Sequence, residues 1–143
     1  MTVAIATILR ASFADALNRT RESLEQNGFH ITNEVDVAAA VRQKHAVDME
    51  HYRILDACHP QFALGQAAAS HPSVALRLVC NVVVRADPDA VDDVIVEVMN
   101  PCVLVGDTDD TILHHVAGQA GCTLRAVIDA LAGMDGGLSS RSS

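Results

Sequence analysis

Aromatic residues are scarce in this chain, since its 143 residues include three Phe, one Tyr and no Trp. Proteins that bind single-stranded nucleic acid use aromatic side chains as stacking platforms. Basic residues are also few, with 10 Lys and Arg against 18 Asp and Glu, which gives a formal net charge of −8. Such a surface repels phosphate backbones and the sequence has no basic stripe, so we expect no nucleic-acid partner.

Long apolar runs and paired cysteines are missing as well. No run approaches the ~18 residues of a membrane span, and the first nine residues lack the basic flank of a signal peptide. We therefore expect a cytoplasmic protein without a membrane partner. The four cysteines, at positions 58, 80, 102 and 122, form no CxxC pair. They are expected to be free thiols that mostly act as small buried hydrophobes, without a disulfide framework or a four-thiolate zinc site.

The hydropathy pattern predicts a single α+β domain over residues 1–133 and a flexible tail over 134–143. Alternating or continuous apolar stretches predict strands over 2–9, 29–35, 51–58, 74–85 and 90–100. Helical spacing predicts helices over 13–26, 37–44, 60–69 and 109–132. The order β-α-β-α-β-α-β-β-α indicates a mostly antiparallel or mixed sheet, with helices packed on one face and a long C-terminal helix.

Local signals refine the first half of the chain. Ser12 is expected to cap the first helix, and Asn27-Gly28 to end it. Asp36 is expected to cap the second helix. In the strand between them, Ile31 and Val35 are predicted to lie on one face, because residues two apart share a face of a strand.

The segment ILDACHPQFALGQ, residues 54–66, places Cys58, His59 and Pro60 where a strand is predicted to give way to a helix. Pro60 suits the first position of that helix. Free amides and the helix dipole at such a position lower a thiol pKa and attract anions. Cys58 is therefore a candidate nucleophile, or part of an anion pocket. The alternative is that this turn has only a structural role.

The strand predicted over 74–85 contains a second cysteine of different character. Cys80 shares the apolar face with Val82, so burial should raise its pKa and make it unreactive. Asn81 lies on the other face with Arg77, where a polar role is possible. A disulfide between Cys58 and Cys80 would require Cα atoms within ~7 Å of each other.

Metal binding is a further hypothesis. Imidazole and sulfur groups suited to zinc, copper or haem iron cluster within fifteen residues, namely His45, Met49, His51, Cys58 and His59. Their spacing matches no established zinc-finger or zincin pattern. His114 and His115 are adjacent on the last predicted helix and point about 100° apart, so they cannot easily chelate one ion.

The stretches YRILDACHPQFALGQA, HPSVALRLVCNVVVR and VEVMNP together resemble the bacterial and archaeal domain of unknown function 302 family. The likeness extends from about Ser12 to Leu131. It implies a TATA-binding-protein-like α+β fold and a homodimer. The family's motif residues that this chain matches are Ala57, Cys58, Pro60, Cys80, Asn81 and Pro101.

Three positions depart from the family pattern. His59 stands where asparagine is usual, Val79 where proline is usual, and Asn100 where aspartate is usual. A site built from these positions would gain a titratable group and lose a carboxylate.

These observations predict a homodimeric, non-catalytic module that binds a small anion, metabolite or cofactor of unknown identity in a pocket around Cys58-His59-Pro60. Tyr52, Asn81, Asn100 and Arg77 are the expected polar contacts. Three alternatives stay open. One is a thiol-based redox or sulfur-handling enzyme that uses Cys58, and another is a metal- or haem-binding protein that uses His59 and Cys58. The third is a structural or interaction protein whose motifs only stabilise the fold and the dimer. The sequence contains no recognised catalytic motif.

Overall fold

A computed structural model of the chain describes residues 3–60, 80–90, 92–106, 109, 111–134 and 140–142. The helix predicted over 60–69 beyond Pro60, and the strand residues 74–79 with Arg77 and Val79, lie outside these ranges. The described elements, in chain order, are β1 (Ala4–Arg10), α1 (Phe13–Gln26), β2 (His30–Asp36), α2 (Val37–His45), β3 (Tyr52–Cys58), β4 (Cys80–Ala86), β5 (Asp93–Met99), α3 (Pro101–Val105), α4 (Thr111–Met134) and β6 (Ser140–Ser142).

The strands form one sheet in the order β2-β3-β4-β5-β1-β6. Every described pairing is antiparallel. The predicted α+β class, with an antiparallel sheet, helices on one face and a long C-terminal helix, is confirmed. Although α4 has 24 residues, no helix in the described ranges is long and apolar enough to cross a membrane.

The C-terminal end of the chain adds a short strand to the sheet. Within the tail predicted over residues 134–143, Ser140–Ser142 pair with β1 through Ile5, Ala6 and Thr7. The physical reason is that β1 would otherwise be an edge strand with unpaired backbone N–H and C=O groups, which attract a further strand. The helix before it also continues to Met134, two residues beyond its predicted end.

The core lies between the sheet and the pair α1 and α4. We call the sheet face that packs on these helices the covered face. Its strand residues are buried because side chains alternate between the two faces, and Ile5, Leu9, Leu55, Val82, Val84, Val94, Val96 and Val98 are all at most 3% exposed. The helices contribute Leu17, Leu24, Leu113, Leu124, Ile128 and Leu131. Thr7 is a polar exception at 0% exposed.

The capping signals predicted from the sequence are present. Ser12 Oγ accepts a hydrogen bond from the backbone N–H of Asp15 at 3.1 Å. Asp36 Oδ1 accepts one from the N–H of Ala39 at 3.0 Å. This bond is the main reason that the pKa of the Asp36 carboxyl lies below its usual value, and the charge of Arg53 lowers the pKa further.

The prediction that Ile31 and Val35 lie on the same face of β2 is wrong. Ile31 pairs with Ala57, but Asn33 pairs with Asp56, so Thr32 is an extra residue that forms a β-bulge. A bulge of this kind reverses the alternation of side chains that follows it. Val35 therefore shares the face of its partner Ile54, opposite to Ile31, and is 40% exposed.

Candidate functional site

The His59 ring is held by the turn that connects α1 to β2. Its Nε2 donates a hydrogen bond to the carbonyl oxygen of Asn27 at 3.2 Å. The edge of the ring meets Phe29 at 5.1 Å between centroids, with the planes 88° apart. Gly28 lies against the ring, and a Cβ at this position would be 2.6 Å from Nε2. Since Gly28 also has a φ of +89°, both the backbone and the packing require glycine there.

His59 lines a cavity of about 720 Å³ that opens between this turn and α4. Asn27 completes the wall on the side of the turn. The α4 wall consists of His114, His115, Gly118, Gln119, Cys122 and Thr123. We call this cavity the His59–α4 cleft. It is open to solvent over most of its extent, and its volume lies within the range of about 300–1,000 Å³ that is typical of small-molecule sites.

The α4 wall was not predicted as part of a site. His115, Gln119 and Cys122 are exposed and recur at the i, i+4, i+7 spacing of one helical face. Buried residues such as Val116 and Leu124 occupy the other side of the helix. The same periodicity could have indicated a polar face from the sequence, although nothing in the sequence says that this face lies opposite His59.

Cys58 points away from the cleft. Side chains alternate along β3, so Cys58 lies on the face opposite to Leu55 and Ala57, which are buried in the core. We call this second surface of the sheet the open face. Asn81 on β4 faces the same way and pairs with Asp56, two residues before Cys58. The structure thus brings Cys58 and Asn81 to one end of the open face, while His59 turns to the other side of the sheet.

Tyr52 and Asn100 do not join either group. Tyr52 begins β3 and pairs with Arg85, so it lies roughly 20 Å along the strand from Cys58. Asn100 is 8% exposed and acts as the N-cap of α3. Its Oδ1 accepts a hydrogen bond from the N–H of Cys102 at 3.0 Å. The polar residues predicted for one pocket therefore occupy separate places around the sheet.

Cys80 has the character expected of a structural thiol. It is 4% exposed on the covered face. Burial raises its pKa from the ordinary value of 9.0 to about 11, and the neighbouring Cys58 contributes to the increase. Although β3 and β4 are neighbours, the two cysteines lie on opposite faces of the sheet. Their Cβ atoms therefore point apart, and both thiols are free.

The candidate metal ligands are also separated. His51 precedes β3 and stacks on Phe13 with ring centroids 4.7 Å apart, at the opposite end of that strand from Cys58 and His59. Among the residues that the structure describes, no three His, Cys, Asp or Glu side chains form a group able to hold a metal ion.

Comparison with known proteins places the chain in a family. The family model described as Domain of unknown function DUF302 matches residues 5–131. The chain belongs to this family. A crystal structure of an uncharacterized conserved DUF302 protein from Bacillus stearothermophilus superimposes with a TM-score of 0.79 at 24% sequence identity. The match covers 90% of this chain and 98% of that one, and it shows the shared fold. No curated protein sequence matches the chain.

Two of the predicted site residues, His59 and Asn100, lie near the same part of α4. His59 lines the cleft beside Gly118 and Cys122. On the other side, Asn100 Oδ1 lies 3.6 Å from the place that a Cβ on Gly121 would occupy. His59 and Asn100 therefore both lie near residues 118–122 of α4.

Proposed function

We propose that this DUF302 protein is a non-catalytic binding module that takes a small molecule in the His59–α4 cleft. The observation that carries the proposal is the combination of a cavity of about 720 Å³ with a wall of convergent polar side chains. Ligand sites usually combine a preformed concave shape with a few polar groups that fix orientation. His59 supplies a rigid wall, because its ring is held by Asn27 and Phe29.

Native mass spectrometry tests the proposal. The freshly purified protein, before and after incubation with a cytosolic small-molecule extract, is expected to carry an extra mass that is lost on denaturation. Gly118→Phe should abolish this mass, because a side chain there enters the cleft and a Cβ meets nothing within 4 Å. Gly133→Phe is the matched control, since it lies on the same helix, outside the cleft, with equal space. A wild-type spectrum without any added mass would contradict the proposal.

We also propose that two copies associate through the open face. The part of this face on β1, β4 and β5 carries partly exposed aliphatic side chains, among them Ile8, Val83 and Ile95. Its charges are balanced, because Arg85 pairs with Glu97 at 2.9 Å and Arg10 with Asp93 at 3.7 Å. In a chain with a net charge of −8, a surface of balanced charge can meet its own copy without strong repulsion.

Sedimentation velocity tests the association. The wild type is expected to sediment as a dimer, and Ile95→Asp as a monomer, because a carboxylate would lie unpaired in the interface. Val47→Asp serves as the control, since Val47 is 53% exposed and lies on the loop between α2 and β3. A monomeric wild type, or equal dissociation by both substitutions, would exclude this interface.

A cytoplasmic location is part of the same proposal. All four cysteines are free, including the buried Cys80 and the exposed Cys122. Free thiols persist in a reducing compartment. Thiol counting on protein from whole cells, trapped rapidly with an alkylating reagent, is expected to give four free thiols.

A further inference from the structure

The His59–α4 cleft differs from the rest of this acidic protein in its charge. The described residues that line it include no Asp, Glu, Lys or Arg. Its titratable groups are the imidazoles of His59, His114 and His115 and the thiol of Cys122. The whole chain carries 18 acidic residues against 10 basic ones. The cleft is therefore a surface without fixed negative charge in a protein that otherwise repels anions.

Several hydrogen-bond donors of the cleft are already used within the protein. His59 Nε2 donates to the carbonyl oxygen of Asn27. The Asn27 side-chain amide donates to the carbonyl oxygen of Ser23 at 2.8 Å. The Thr123 hydroxyl donates to the carbonyl oxygen of Gln119 at 3.0 Å. These bonds hold the walls of the cleft in place.

His114, His115 and Gln119 are the other donors on the α4 wall, and we single out the pair His115 and Gln119. They lie four residues apart on α4, so their side chains are neighbours on one helical face. An imidazolium and a primary amide, side by side, present the N–H groups that a carboxylate or phosphate accepts. Hydrogen bonds from a charged donor to an anion are roughly twice as strong as neutral ones.

We propose that the ligand of the cleft carries an oxyanion group, a carboxylate or a phosphate, which His115 binds in its imidazolium form with the help of Gln119. The inference rests on the proposed function of the cleft. Imidazole is the side chain that changes its charge near neutral pH, so affinity rises as the pH falls. The nearest fixed charges along the chain are Asp110, directly before α4, Glu25, two residues before Asn27, and Arg125, three residues after Cys122. Glu25 and Arg125 do not line the cleft.

Sulfate and acetate are suitable probes, because each keeps its charge between pH 6 and pH 8 and any change in affinity then comes from the protein. Sulfate represents a phosphate group and acetate a carboxylate. Binding is followed by amide chemical shifts in 1H–15N spectra at constant ionic strength. We expect shifts at His115 and Gln119, with an affinity about tenfold higher at pH 6 than at pH 8 for at least one probe. The probe that binds more tightly identifies the oxyanion.

His115→Gln should remove the pH dependence and weaken binding at pH 6 to its value at pH 8. His45→Gln is the control, since His45 is exposed at the end of α2, outside the cleft. Both substitutions are at exposed positions, and an unchanged melting temperature checks that the fold is intact. Equal affinity at the two pH values, or a pH dependence that survives His115→Gln, would overturn the inference.

The outcomes separate this inference from the proposed function. One outcome is that Gly118→Phe excludes a ligand of the cleft, while neither sulfate nor acetate binds at either pH. This outcome would support the proposed binding function and contradict the proposal that the ligand carries an oxyanion. If native spectra show no added mass and neither probe binds, both the binding function and the oxyanion proposal are wrong. Shifts spread over exposed basic side chains away from α4 would indicate nonspecific binding and would also overturn the inference.

Discussion

The two faces of the sheet are made from the same strands but have different physical character. On the covered face, side chains such as Leu55, Val82 and Val96 are fully buried against α1 and α4. One residue away in each strand, Ile54, Val83 and Glu97 lie on the open face and are partly exposed. The covered face therefore contributes the buried apolar side chains that stabilise the fold, whereas the open face is the surface through which we propose association.

The largest expected effect comes from removing one side chain on each face at adjacent positions. Leu55→Ala, on the covered face, should lower the free energy of unfolding by about 3 kcal/mol, because it leaves a cavity in a core that cannot fully collapse. Ile54→Ala, the matched change on the open face, should cost only about 1 kcal/mol, since water already reaches this side chain. Urea unfolding at one low protein concentration measures both. Equal losses would show that the two faces are buried alike.

A second test compares how Cys80, on the covered face, and Cys58, on the open face, affect the pH dependence of the free energy of unfolding. In the folded protein burial raises the pKa of Cys80 from 9.0 to about 11. The stability that this neutral thiol contributes is complete below pH 9 and is lost as the pH rises through 11, because the unfolded chain ionises first. Between pH 8 and pH 10.5 the free energy of unfolding of the wild type should therefore fall by about 2 kcal/mol more than that of Cys80→Ala.

Cys58→Ala is the control for this experiment, since Cys58 is partly exposed on the open face. The Cys58→Ala variant should lose slightly less stability than the wild type between the two pH values, because burial is the main cause of the raised pKa of Cys80 and Cys58 is the smaller one. Urea unfolding at each pH gives the differences. An equal loss in the free energy of unfolding for the wild type and Cys80→Ala would show that burial does not raise the pKa of Cys80.

The sequence predicted the elements of the fold well because each carries a local signal. Ser12 and Asp36 cap helices where they were expected to, and the alternation of Cys80, Val82 and Val84 identifies the covered face of β4. The face of Val35 was mispredicted because strand alternation holds only without a bulge. Thr32 has no property in the sequence that marks it as the extra residue.

The candidate site was less accessible to sequence reasoning, because a site depends on contacts between distant segments. The adjacent positions Cys58 and His59 suggested one pocket, yet consecutive residues at the end of a strand point to opposite sides of the sheet. His59 instead lines one cleft with α4 residues more than fifty positions later in the chain, at His114, His115 and Cys122. No local sequence pattern links residues that are so far apart in the chain.

The smallest expected effect concerns the ion pair at the centre of the open face. Arg85 Nε lies 2.9 Å from Glu97 Oε1, and each side chain is 30% exposed. In a monomer, a double-mutant cycle of Arg85→Met and Glu97→Gln should give a coupling energy of about 0.5 kcal/mol, because water weakens exposed pairs. This energy should decrease with salt, because dissolved ions screen the two charges.

Association through the open face is expected to raise the coupling energy between Arg85 and Glu97. If a second copy covers the open face, water is excluded from the pair and its coupling increases, since charges interact more strongly where the effective dielectric constant is low. The coupling energy should therefore rise with protein concentration and become less sensitive to salt. A coupling that stays small and salt-dependent at concentrations where sedimentation shows a dimer would place the interface elsewhere. The pair thus reports whether the open face remains exposed to water or, like the covered face, becomes buried.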